Sequence, residues 1–310
     1  MIRLGLCCLF HEQPIRFCTT TATAMARLER PRQLERLAGL CLANAEALAQ
    51  AVAWCAANGI GAFRINSQIL PLKTHPVAGY RMEELPDAPE IIGRFRAAGL
   101  AALRAGVRLS MHPDQFVVLN SPRPEVVRSS VAELVYQAEF AEWTGVDVIN
   151  LHGGGVYGDR PAALDRLERA IASLPEAVRT RLTLENDDRS FTPSGLLPVC
   201  LRTGVPLVYD VHHHRCLPDS LTVEGATSAA AKTWNREPLF HISSPKAGWG
   251  GGDPRPHHDF IAPSDFPACW HNLDLTIEVE AKAKELAVGR LAASLRAAGI
   301  AIGGPKPAER

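Results

Sequence analysis

The chain has 310 residues, 46% hydrophobic and 21% charged, enough for one large α/β domain or two small ones, with a sizeable core. Thirty-three basic residues balance thirty-three acidic ones, which excludes a strong global field for nucleic acid, so a DNA partner would need basic residues gathered on one face. Eight cysteines (7, 8, 18, 41, 55, 200, 216 and 269) form no C-x-x-C pair, which argues against a disulfide framework and for a reducing compartment, a bacterial cytosol or nucleoid.

In chain order, the apolar start at Leu4 to Phe10 runs into His11-Glu12 and is too short for a secretory signal. No apolar run approaches the roughly 18 residues of a membrane span, so no membrane partner is expected. Short β-rich runs then alternate with Ala/Leu/Arg-rich stretches. Strands are predicted at Ile2–Phe10, Ala62–Ser67, Val107–Pro113, Val148–Gly153, Leu182–Asp187, Leu207–His213, Leu239–Ser244 and Leu275–Ala281. Helices are predicted at Arg32–Asn58, Ala88–Ala105, Pro124–Thr144, Pro161–Arg179, Pro193–Arg202, Ser220–Asn235 and Lys282–Ala298, with prolines near their starts and glycines after their ends. Eight strands without a composition break argue for a single (β/α)8 TIM barrel over residues 1–302, with 303–310 a disordered tail.

The C-terminal ends of those strands carry the chemistry. His112 ends the third, His152 the fourth and Glu185 the fifth. Asp210 and His213 end the sixth, His241 the seventh, Glu278 and Glu280 the eighth, and His257 follows in a long loop. Parallel barrel strands all end on one face, so these residues converge there. Any one of them alone reads as a core histidine or an ion-pair partner. Together they need charge compensation, which divalent ions supply by binding neutral imidazole and ionised carboxylate at once. The number of ligands exceeds one tetrahedral site and predicts two or three ions, with Glu185 bridging. Strand alternation turns His212 and His214 away from His213, making them solvated or outer partners. Gly153-Gly154-Gly155 reads as loop clearance or an anion cradle, Lys246 as a phosphate contact or a solvated lysine, and Trp249 as a base-stacking platform or a loop anchor.

With these residues in view, the chain resembles the UV damage endonuclease family, related to endonuclease IV-type enzymes. The resemblance rests on Phe63-Arg64-Ile65-Asn66-Ser67 with His75 beyond it, Arg108 to Phe116, Leu151-His152-Gly153-Gly154, Leu184 to Asp187, Tyr209 to His214, His241 to Lys246, Arg255 to Ile261 and Glu280 to Glu285. It implies a monomeric TIM barrel acting on damaged double-stranded DNA. The implied cofactors are two or three divalent ions, Mn²⁺ favoured over Mg²⁺, Co²⁺ or Zn²⁺. It puts His112, His152 and Glu185 on one ion, Asp210, His241 and Glu280 with bridging Glu185 on a second, and His213 and His257, with Asp259, on a third. It puts His75 near the scissile phosphate, with Lys246 joining Glu185 in the catalytic set. Gln115 and Phe116 would wedge into the duplex, and Asn66 and Ser67 would line the lesion. Lys246, Arg189 and Arg255 are the expected basic rim.

Three departures from the family pattern stand out. A lysine often found two residues before the strand-seven histidine is Leu239 here. The wedge tyrosine is Phe116. Leu6 and Phe10 stand where the first strand usually offers Tyr and Asn to the groove. The implied reaction is metal-assisted phosphodiester hydrolysis immediately 5′ to UV photoproducts. The rivals are a TIM-barrel sugar isomerase or epimerase, an abasic-site endonuclease of the endonuclease IV type, and a non-catalytic damage-binding module.

Overall fold

A computed structural model of the protein describes residues 1–303. Eight parallel strands form the sheet: β1 (Ile2–Cys7), β2 (Ala62–Ile65), β3 (Arg108–Met111), β4 (Val148–His152), β5 (Leu182–Glu185), β6 (Leu207–Val208), β7 (Leu239–Ile242) and β8 (Leu275–Val279). Their order is β6-β5-β4-β3-β2-β1-β8-β7, and a short ninth strand, β9 (Ile302–Gly303), pairs with β1. The helices are α1 (Ala22–Met25), α2 (Arg30–Ala57), α3 (Ala88–Ala105), α4 (Pro124–Thr144), α5 (Arg160–Ser173), α6 (Glu176–Arg179), α7 (Pro193–Thr203), α8 (Val211–Cys216), α9 (Val223–Ala231) and α10 (Glu285–Ala297). The ring is the expected (β/α)8 barrel. It closes between β6 and β7 through a single parallel bridge, Asp210 to His241, with the His241 amide donating to the Tyr209 carbonyl at 3.0 Å. Two of the predicted ligands are therefore the seam of the barrel.

The element bounds differ from expectation where local chemistry intervenes. Pro175 lacks an amide hydrogen and holds Leu174 extended, so the single helix predicted at Pro161–Arg179 is two, α5 and α6. The strand predicted to run to His213 stops at Val208. The Asp210 carboxylate accepts from the His213 amide at 2.7 Å and caps α8, so His212, His213 and His214 lie on a helix. β1 ends at Cys7, and the φ of 63° at Cys8 turns the chain out of the sheet. Between β7 and β8 the described residues form short 3₁₀ turns and one antiparallel bridge, Pro245 to His257. Gly303, assigned to the tail, belongs to β9; the rest of that tail, 304–310, lies outside the described residues.

Alternation sorts the strands. Leu4 and Leu6 of β1, Phe63 of β2 and Phe240 of β7 pack in the main apolar core. Leu6 and Phe10 are part of this core, with Phe10 against Trp54 and Phe63, so neither reaches the groove. The opposite alternation points the other set at the barrel axis. There Leu239 packs on Val148 and Val208 with Trp234 beside them, so the barrel interior beneath His241 is apolar where an ammonium could stand. Helix α2 corrects the sequence reading too: it has the length and mean hydropathy to cross a membrane, and its buried side, including Leu37, Cys41 and Leu48, packs with the barrel core.

Candidate metal centre

Register assembles the site. His152 pairs with Glu185 across β4 and β5, and His241 with Glu278 across β7 and β8. Three groups result, each with its donor atoms within 4.8 Å of one another: His112, His152 and Glu185; Glu185, Asp210 and His213; Asp210, His241 and Glu280. Glu185 and Asp210 are shared, as bridging carboxylates must be. Both are fully buried.

Hydrogen bonds fix what each ring offers. Nδ1–H of His112 donates to the Pro113 carbonyl at 2.9 Å, which aims the Nε2 lone pair at Glu185 Oε2, 3.0 Å away. Nδ1–H of His213 donates to the Asn186 carbonyl at 3.0 Å. His241 Nδ1 lies 3.1 Å from Glu185 Oε1 and 3.4 Å from Glu280 Oε1, and its Nε2 lies 3.0 Å from Glu278 Oε2. Yet neither His241 nitrogen is aligned for a hydrogen bond, and His152 Nδ1 and Asp210 Oδ2 are likewise buried without one. Lone pairs packed against carboxylate oxygens in a buried layer repel unless a proton or a metal cation lies between them. The donor set therefore fits divalent ions.

Electrostatics agrees. Burial raises the Glu185 carboxyl, but the imidazoles of His241, His152, His112 and His213 outweigh it and hold it well below the usual carboxylate range. Burial is similarly outweighed at Glu280, chiefly by Arg64 and His241. His213 and His241 are pushed well above the ordinary histidine value: burial opposes this, and the neighbouring carboxylates prevail. His152 goes down, because burial dominates there. In effect protons on His213 and His241 stand in for metal charge.

Positioning comes from residues the sequence reading passed over. Asn150 donates to Glu185 Oε2 at 2.5 Å and accepts from Thr183. The Asn186 side chain pairs with both backbone groups of Asp210, at 2.9 and 3.0 Å, as a strand neighbour would. Arg64 reaches from β2 to Glu278 at 3.1 Å and Glu280 at 2.5 Å. Inward alternation could have flagged Asn150 and Arg64; Asn186 lies past the end of β5 and carries no such signal. Glu280 joins a three-donor group, whereas Glu278 sits with Ser110 and Arg64 against the far nitrogen of His241, the usual place of an orienting carboxylate.

The profile of the family described as UV-endonuclease UvdE matches residues 2–302. The chain belongs to the UvdE family. It is 38% identical over 302 residues to the UV DNA damage endonuclease of Deinococcus radiodurans, covering 93% of this chain and 94% of that one. The crystal structure of SacUVDE superposes with a TM-score of 0.86 at 27% identity, covering 97% of this chain and all of that one. Endonuclease IV from Thermus thermophilus shares the fold, with a TM-score of 0.60 at 17% identity over 95% of this chain and 98% of that one.

Other residues marked in the sequence fall in several places. His257 belongs to no three-donor group among the described residues; its Nδ1 is 3.3 Å from Ser243 Oγ and 3.8 Å from Glu280 Oε2. Asp259 is exposed. His213 groups instead with Glu185 and Asp210. His212 and His214 are buried, not solvated: His212 packs between Trp249 and His257, and His214 bonds the Tyr209 hydroxyl and Asp219. A groove of about 1090 Å³ among the loops that follow β1 to β4 is lined by His75, Ser67, Gln115 and Phe116, and Phe116 is 76% exposed. Asn66 bonds the Gln68 amide at 2.8 Å and shapes the loop behind Ser67. Lys246 is exposed beside Trp249 and Phe260, outside all three donor groups. Trp249 anchors its loop through Asp265 at 2.7 Å. Gly154 has a φ of 83°, and a Cβ there would meet Asn120, whose amide holds the Gly153 and Gly155 carbonyls; the glycine run provides loop clearance.

Proposed function

We propose that this protein hydrolyses the DNA phosphodiester immediately 5′ to UV photoproducts, using two or three divalent ions, Mn²⁺ foremost, and acting as a monomer. The observation that supports this most is the pair of shared buried carboxylates, Glu185 and Asp210, linking three donor groups in a chain of the UvdE family. When bound, such ions neutralise a phosphodiester and supply a nucleophile at neutral pH. His112, His152, His213, His241 and Glu280 complete the ligand set, and His257 stands ready beside Glu280 for an outer ion.

The chain's own residues do the rest. His75 Nδ1 accepts the Val77 and Ala78 amides at 3.2 and 3.1 Å, so Nε2 carries the proton and offers a donor to a phosphate oxygen. Phe116 and Gln115 form an exposed tip that fills the gap left by an unstacked base, with Ser67 lining the same groove and Asn66 holding the loop behind it. Damaged steps unstack at low cost, so a wedge of this kind selects for deformability. Lys246 in this reading contacts the DNA backbone and takes no part at the reacting atoms.

The test is incubation with Mn²⁺ and irradiated, abasic or intact duplex. Incision 5′ to photoproducts is expected, and intact duplex should survive. Absence of that cut sinks the proposal; cutting of abasic duplex alone moves the activity to the endonuclease IV type.

A further inference from the structure

A second cavity, about 350 Å³, shares Glu280 with the centre and lies between the ends of β8, β1 and β2 and the β7–β8 loop. Arg64, Arg255, His257, Glu280, Lys282 and Lys284 line it. We infer that this cavity is a phosphate subsite, gripping a backbone phosphodiester next to the one presented to the metal centre. The identity of the anion rests on the nuclease reading above; the cationic cavity does not.

The sequence Glu280-Ala281-Lys282-Ala283-Lys284 builds it. Ala281 and Ala283 are buried in the core, which turns Glu280, Lys282 and Lys284 to the cavity. The Lys282 and Ala283 amides donate to the His258 and Asp259 carbonyls at 3.1 and 3.0 Å, tying this segment to the β7–β8 loop. Lys284 has φ 51° and ψ −122°, a backbone state that side-chain-bearing residues rarely adopt. A glycine would relieve that strain, yet a lysine stands there and faces the cavity. Among the described residues neither Lys282 nor Lys284 has an ion-pair partner, and Arg255 makes only contacts of 3.6 Å, to Asp188 and Asp253. The single carboxylate, Glu280, is held by Arg64. The Cys7 thiol also borders the cavity, and burial pushes it well above its usual value, so it adds no negative charge. Because Glu280 belongs both to this cavity and to a ligand group, a bound phosphate here would fix the strand directly beside the centre. Lys282 and Lys284 thus join the expected basic rim of Lys246, Arg189 and Arg255.

The Mn²⁺-loaded enzyme should be titrated with intact duplex at several salt concentrations, alongside the Lys282→Ala/Lys284→Ala double variant and Lys284→Gly. Each lost phosphate contact should make the slope of log affinity against log salt shallower by about 0.9. The subsite holds one phosphate, so the double variant should lose about 0.9 and Lys284→Gly part of that, without a lower melting temperature. If the parent protein cuts irradiated DNA but the double variant keeps the parent slope, the subsite is wrong and the nuclease reading stands. If no irradiated duplex is cut yet the slope still flattens, the nuclease reading falls and the subsite stands. Failure of the parent to bind any duplex overturns the subsite.

Discussion

Where the strands begin, Arg3 meets Glu237 through two hydrogen bonds of 3.1 Å, and Arg108 grips Asp147 at 3.1 and 2.8 Å while also donating to Thr276 and the Glu237 carbonyl. Arg108 and Arg236 both lie over the Trp234 ring. Where the same strands end, the carboxylates Glu185, Asp210, Glu278 and Glu280 face one guanidinium, that of Arg64, and a ring of imidazoles. The first arrangement closes on itself, because arginine is permanently charged and its fork matches a carboxylate. The second does not, because a neutral imidazole brings a lone pair as well as a proton. The difference separates a charged network that holds the barrel together from one built to take up cations.

The comparison breaks most visibly at Glu185. Glu185→Gln keeps the shape and removes the shared charge, so incision should fall by more than about 100-fold, the scale on which even outer partners of metal ligands act. Metal analysis should show at least one ion fewer per chain. Full activity with unchanged metal content would end the bridging role.

Acidity sharpens the same contrast. In metal-free protein His213 and His241 titrate above their unfolded values, so their stabilisation is complete below about pH 6.5 and is lost as pH rises through the folded values. Glu185 and Glu280 titrate below theirs, so their contribution is present above about pH 4.5 and is lost as pH falls through the depressed values. Melting temperature with chelator should therefore decline on the alkaline side. Added Mn²⁺ should cancel that decline and release protons, seen as a buffer-dependent binding heat. A flat alkaline profile without metal would contradict the assignment.

The smallest effect belongs to the other end. Arg108→Ala should cost about 1.5–3 kcal/mol, the range for hydrogen bonds to charged groups, and lower the melting temperature. Metal content and incision at a permissive temperature should be unchanged. A variant that lost metal instead would show that the two ends are coupled.

Much of this was legible. The inward-facing strand positions and their final residues could be read by counting in twos, and the shared pattern at several strand ends pointed to one face. Legibility failed where a side chain took over a backbone role. Asp210 and His213 read as the end of one strand, but the Asp210 carboxylate caps α8 and moves His213 onto a helix. Asn186 fell inside the strand predicted at Leu182–Asp187, but it lies past the end of β5, and its side-chain amide replaces a missing strand partner for Asp210. Leu6 and Phe10 were aligned to the groove by resemblance, whereas alternation within β1 gives that face to Cys7.

The sequence by itself determined which chemistry each strand end carries, since alternation and residue type are local properties. Tertiary structure alone decided which of those groups share space. The ring closes through Asp210 and His241, and β2 lies two strands from β8, so Arg64 reaches carboxylates more than two hundred residues away. Those separations follow from barrel closure and register, which depend on the packing of the whole chain and on no stretch of it.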